Sequence, residues 1–235
     1  MAWGRSLGRL AIVAALWPGL VVTGYGLSLG NSFSFDSNPK SDLSYGYTTS
    51  LGGEMTLHVS HEALNGVGFW RTDLSLGAPG MGYNPTGAPV SFNAGGIIVP
   101  ALTWLLHPGP SGQIEVVRYT APTAGSFLVS GWFAGADTTG TTTDVHVLVN
   151  GSSLFNGIVS GYGDSSKVLF NTSVTLNAGD FLDFAVGANG GFISDSTAMT
   201  ASLTAVPEPA SLGCVAALGL AAVAVLHRRR AFDRS

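Results

Sequence analysis

Few side chains in this chain could do chemistry, and their spacing narrows what that chemistry could be. His58-Val59-Ser60-His61-Glu62 gathers two imidazoles and a carboxylate, residue types that hold zinc. Both zincin orders, HExxH and HxxEH, rely on a helix to bring the imidazoles to one side of a metal. This segment has neither order. It alternates like a strand, which sends His58 and His61 to opposite faces. No GxSxG elbow and no phosphate loop occur, and the single cysteine, Cys214, falls in the apolar run near the C-terminus. The rest of the chain therefore offers no thiol nucleophile and can form no disulfide within itself. No catalytic set is expected, and the chain reads as a protein that is not an enzyme.

Two non-catalytic sets stand out instead. Opposite the apolar faces of neighbouring strands lie Trp132, then Asp144 and His146, then Asp183. An indole that stacks on C–H groups, beside carboxylate and imidazole that take hydroxyls, is a way to grip a sugar. Leu128 and Leu148 share those faces and favour the other reading, in which the face is covered and Trp132 is core. The second set is Asp137, Asp144 and Asp195 in Gly- and Thr-rich loops, oxygen ligands of the kind calcium takes; acidic turn chemistry alone is the commoner reason for such residues. Calcium is the one cofactor these residues suggest. Asn150-Gly-Ser and Asn171-Thr-Ser match the glycosylation pattern, and also suit a hairpin turn and a strand.

Charge narrows the partners. From Tyr25 to Ala205 only Lys40, Arg71, Arg118 and Lys167 face twelve Asp and Glu, a formal charge of −8. Such a surface repels phosphate backbones, which argues against nucleic acid.

The elements that must position these groups are strands. Glycine is 33 of 235 residues, Ser, Thr and Asn are abundant, and helix formers are scarce. Period-2 alternation predicts strands over Ser126–Ala134, Thr143–Val149, Val168–Leu176 and Phe181–Val186, each with one buried face. Turn residues such as Asn150-Gly151 and Asn189-Gly190-Gly191 separate them. Earlier, strands are expected at Ser32–Phe35, Tyr45–Leu51, Glu54–Val59, Val67–Leu74 and Ile97–Leu105, with a long Gly/Pro loop between Gly77 and Gly96. The fold class is mostly β, a sandwich or jelly roll.

The two ends carry transport signals. Arg5 and Arg9 precede an uncharged stretch, Leu10 to Val22, followed by Gly24 and Gly26, the order of a signal peptide. At the other end Val206-Pro207-Glu208-Pro209 stands before an uncharged run, Ala210 to Leu226, closed by His227 and Arg228-Arg229-Arg230. As a helix that run spans about 25 Å, the short end of what crosses a membrane. The arginines keep the C-terminus inside, so what precedes Val206 is exported. Pro207 and Pro209 hold Glu208 extended, as a protease requires.

This tail resembles the PEP-CTERM sorting signal. The resemblance implies that an exosortase, a membrane protease, reads Val206, Pro207, Glu208 and Pro209, with Arg228, Arg229 and Arg230 as the basic stop. Residues 106–203, with HPGPSGQ, VVRYTAPTAGSFLVSGWFAG, TTTDVHVLVNG, LNAGDFLDFAVG and DST in order, resemble a β-sandwich module recurrent in PEP-CTERM proteins, similar in style to carbohydrate-binding jelly rolls.

The expected organisation is then a signal peptide at 1–26, an N-terminal β region at 27–108, a sandwich module at 109–205 and a sorting signal at 206–235, whose membrane helix is 210–227 and basic tail 228–235. The expected partners are signal peptidase and the secretion machinery, exosortase, the inner membrane and exopolysaccharide. The expected role is a non-catalytic polysaccharide-binding protein, exported through the inner membrane to the cell surface or matrix. The alternative is a structural or adhesive matrix protein without a specific sugar ligand.

Overall fold

The computed structural model describes residues 26–73 and 79–206. The expected signal peptide, the sorting motif from Pro207 onward, the apolar run with Cys214 and Arg228–Arg230 lie outside those residues. Among the described residues no helix is long and apolar enough to cross a membrane.

Sixteen strands among the described residues, numbered along the chain, form two large antiparallel sheets and one hairpin. The larger sheet runs β14 (Val168–Leu176), β11 (Gly125–Gly135), β16 (Thr197–Ala205), β9 (Thr103–His107), β6 (Gly80–Asn84), β5 (Val67–Arg71) and β4 (Ser60–Leu64), with β1 (Gly26–Ser28) also paired to β16. The smaller runs β13 (Ser152–Gly161), β12 (Thr141–Val149), β15 (Phe181–Gly187), β10 (Ile114–Thr120), β2 (Leu43–Thr48) and β3 (Thr56–Leu57). The hairpin is β7 (Val90–Phe92) with β8 (Ile97–Val99).

The sheets face each other across one core. Trp70, Met81, Tyr83, Trp104, Val129, Phe133, Phe170 and Met199 of the larger sheet pack with Tyr45, Val117, Tyr119, Val145, Val147 and Phe184 of the smaller in a single buried cluster. Alternation explains the sidedness: Val129 and Phe133 face in while Ser130 and Trp132 face out, and Val145 and Val147 face in while Asp144 and His146 face out. Two-residue turns with both residues at positive φ close the tight hairpins, Asn65–Gly66 (φ 51° and 84°) between β4 and β5 and Asn150–Gly151 (φ 48° and 79°) between β12 and β13.

The four strands expected from alternation in the second half are present, extended by a residue or two in three cases. The first half departs from expectation. The stretch from 77 to 96 is not one loop but holds β6 and β7. The strand expected over Ile97–Leu105 divides at a turn into β8 and β9. Ser32–Phe35 is not a strand: a 3₁₀ turn covers Leu29–Ser32, and Phe33 then dives between Tyr45, Tyr83 and Trp104, with ring centroids 5.5–5.7 Å away. The boundary expected at residue 108 falls inside the sandwich, because β9 pairs with β16 and β2 with β10.

Candidate functional site

Glycine prepares the site on the outer face of the larger sheet. Gly82 and Gly80 of β6 lie across from Phe69 and Arg71 of β5. A Cβ at Gly82 would stand 2.6 Å from the Phe69 ring, and one at Gly80 would stand 2.8 Å from Arg71 Cγ. Without side chains there, the ring and the arginine stem lie flat over β6. The Arg71 guanidinium then sits 5.0 Å from the Phe69 centroid, a cation–π contact. It also reaches Glu62 of the neighbouring strand β4, with Nη1 3.3 Å from Oε1.

The β7–β8 hairpin roofs this floor. Its Phe92 meets Phe69 edge to face at 5.5 Å. Beneath it Val67, Phe69, Val99, Leu105, Ala136 and Ala198 form a second apolar cluster, separate from the core between the sheets. The roof is pinned from the other side: Ile98 N–H donates to Ala136 O, and Thr138 N–H to Gly96 O, both at 2.9 Å. Between roof and sheet opens a cleft of about 810 Å³. Its lining includes Phe69 and Phe92, the Glu62–Arg71 pair, and His107, whose Nδ1 lies 2.8 Å from the Pro108 carbonyl oxygen. Among the described residues every one that lines the cleft comes from residues 62–107 except Ser196.

At that last residue the cleft adjoins two buried carboxyls. Ser196 N–H donates to Asp137 Oδ2 at 2.7 Å. Asp195 accepts at Oδ1 from Thr142 N–H at 3.1 Å, while its Oδ2 is buried without a partner. Burial raises the Asp195 pKa, more than the Thr142 bond and nearby His107 draw it back, and Asp137 adds to the rise.

The residues expected at a ligand face are divided by the fold. Trp132 is on β11, half-buried on the outer face of the larger sheet against the rim of the apolar cluster, with Lys167 Nζ 4.6 Å over its ring. Asp144, His146 and Asp183 are on the opposite side of the molecule, on the outer face of the smaller sheet. There they are occupied with one another and their neighbours. Arg118 donates from Nε and Nη2 to both oxygens of buried Asp183, at 2.7 and 2.9 Å. Burial nonetheless leaves the Asp183 pKa raised. Asp144 accepts from Asn189 N–H at 2.8 Å and lies 2.8 Å from His146 Nε2, whose Nδ1 lies 2.7 Å from Asn156 Oδ1. The hydrogen bond to His146 holds Asp144 below its usual pKa, and Asp144 and Asn156 together outweigh burial to raise that of His146.

Of the three carboxylates considered for calcium, Asp137 and Asp195 are brought together and Asp144 is not. Among the described residues no three His, Cys, Asp or Glu side chains gather as a metal would need. The histidines of the 58–62 segment also part. His58 Nε2 lies 2.7 Å from Glu115 Oε1, both side chains wholly buried, whereas His61 packs against the Phe35 and Trp70 rings. Sequence reasoning had Glu62 in view for the wrong partner and passed over Phe69, Arg71, Phe92 and His107. One signal was available: Arg71 is one of only four cations between Tyr25 and Ala205.

Residues 205–230 match the model of the PEP-CTERM protein-sorting motif. The molecule is thus a β-sandwich protein carrying a PEP-CTERM sorting motif. That motif implies export, sorting by an exosortase, and C-terminal anchoring before cleavage, followed by association with the cell surface. No curated relative matches the chain. Among solved structures it is similar to a family 51 carbohydrate-binding module from Clostridium perfringens, in complex with methyl-galactose, at 15% identity over 77% of this chain and 100% of that one, with a TM-score of 0.37. It is also similar to a family 35 module from Clostridium thermocellum, at 16% identity over 39% and 69% of the two chains and a TM-score of 0.26. A family 6 module from Zobellia galactanivorans is 13% identical over 49% and 86%, with a TM-score of 0.27. Such superpositions equate no residue of this chain with a ligand contact of theirs.

Proposed function

We propose that this exported sandwich is a non-catalytic binding module whose roofed cleft takes a sugar residue of an envelope or matrix polysaccharide. The supporting observation is the composition of the cleft. Phe92 in its roof offers an aromatic ring for the apolar face of a sugar, buried Phe69 in its floor supports Arg71, and its walls offer the Arg71 fork and the Glu62 carboxylate for hydroxyls. The Asp144–His146 and Arg118–Asp183 groups are already hydrogen-bonded among themselves and have less to offer a ligand.

Affinity electrophoresis of the exported protein through gels containing neutral or acidic polysaccharides tests this. At least one polymer should retard it, and Phe69→Ala should abolish the retardation. Trp132→Ala should leave retardation in place while lowering stability by about 1–3 kcal/mol, as expected for a half-buried ring. Retardation lost with Trp132→Ala and kept with Phe69→Ala would move the site to β11. No retardation by any polymer would leave a spacing or adhesive matrix role.

A further inference from the structure

Resting on that cleft reading, we infer that the cleft selects an uncharged sugar with adjacent hydroxyls over uronates and other anionic sugars, with Glu62 and Arg71 as the discriminating pair. The charges carry the argument. Among the described residues Arg71 is the one Lys or Arg in the lining, and Glu62 already stands 3.3 Å from it, so the pair is neutral as a whole. At the Ser196 end the Asp137 and Asp195 carboxyls lie buried behind the lining and offer an anion no positive partner, and the exported region carries −8 overall. An anionic sugar would lose its hydration on entry, find its single cationic partner already shared, and face the Glu62 carboxylate in the wall. Burial of a charge without a dedicated partner is strongly unfavourable.

A hydroxyl has the opposite fit. Each one donates and accepts, and the wall presents both functions side by side: N–H groups on Arg71 and acceptor oxygens on Glu62. Two adjacent hydroxyls can bridge a guanidinium and a carboxylate at once, which a carboxylate cannot do because it only accepts. The Phe69 ring beneath Arg71 holds the guanidinium plane in place, so the donor geometry is set before the ligand arrives.

The same gels decide the point when loaded with neutral glucan, galactan and mannan on one side and alginate or polygalacturonate on the other. Wild-type protein should be retarded by a neutral polymer and pass freely through the uronates. Glu62→Gln should weaken neutral binding about ten- to a hundredfold, the loss of a hydrogen bond from a charged group. With Arg71 unpaired, it should also gain retardation in uronate gels that fades as salt is raised. Arg71→Ala should lose both, and circular dichroism melts of each variant confirm folding. Wild-type protein retarded by uronates in preference to neutral polymers, through a contact that Phe69→Ala removes, would overturn the selectivity and leave the cleft standing. Retardation that is indifferent to Phe69→Ala would remove the cleft and the selectivity together.

Discussion

The two halves of the exported region are built from different kinds of strand and contribute different things. From residue 109 onward the strands have seven to eleven residues, and they form the greater part of both sheets. Among the described residues up to 108 none is longer than six. Those short strands extend the sheets that the second half begins: β9, β6, β5 and β4 continue the larger sheet beyond β16, and β2 and β3 continue the smaller beyond β10. The long strands supply a scaffold whose outward polar groups are largely bonded to one another. The short ones supply a roof, a glycine-lined floor and nearly all of the cleft. A site requires polar groups with capacity left over and space between elements, and irregular segments laid over a regular sheet provide both.

The sharpest test of this comparison separates the halves. Residues 109–205 expressed alone should fail to form a cooperatively folded domain, since Val117, Phe133 and Phe184 would lose Tyr45, Met81 and Trp104 from their shared core. A sigmoidal denaturant transition for that fragment would show that the second half stands without the first.

Next in size is Arg118→Ala in the scaffold. It leaves the buried Asp183 carboxylate without its bidentate partner and should cost about 3–5 kcal/mol in urea melts. Polysaccharide retardation of the folded fraction should be unchanged. Gly82→Val in the cleft half should show the reverse balance. Its Cβ displaces the Phe69 ring, for about 1–3 kcal/mol of overpacking, while binding falls at least tenfold. Equal effects of the two substitutions on binding would dissolve the division between scaffold and site.

The smallest effect is pH-dependent and joins the halves, because His58 belongs to the first and Glu115 to the second. Burial pushes the Glu115 pKa up to about 7, against 4.5 ordinarily, and His58 draws it back only in part. Folding therefore favours the protonated carboxyl. Its contribution to stability is complete below about pH 4.5 and declines as the pH rises through 7. Glu115→Gln should flatten that decline in melts taken from pH 4.5 to 8, and a wild-type and mutant difference that is constant over the range would refute the linkage.

Legibility in the sequence followed the same division. Val145, Val147 and Val149, or Leu182, Phe184 and Val186, announce strands with one buried face because nothing else in those segments competes with the alternation. Other elements hid for specific reasons. In β10 Val116 and Val117 are both buried, Val116 under Met55 on the outer face, which erases the period of two. In β16 alanine, serine and threonine carry the pattern too weakly to separate faces. In β6 glycine signals a turn to local reasoning, yet Gly80 and Gly82 are there so that a neighbouring strand's side chains can lie across them.

Local chemistry was enough to reveal that the chain is β-rich, has a strongly acidic exported region and ends in a sorting motif, because composition, short-range alternation and a contiguous Pro-Glu-Pro, apolar and arginine series are all properties of neighbouring residues. The pairing of Glu62 with Arg71, the edge-to-face contact of Phe69 with Phe92 and the separation of Trp132 from Asp144, His146 and Asp183 are set by which strands become neighbours and which sheet each joins. That choice is made by burying Trp104, Tyr45 and Phe133 in one core, a long-range event that no single segment encodes.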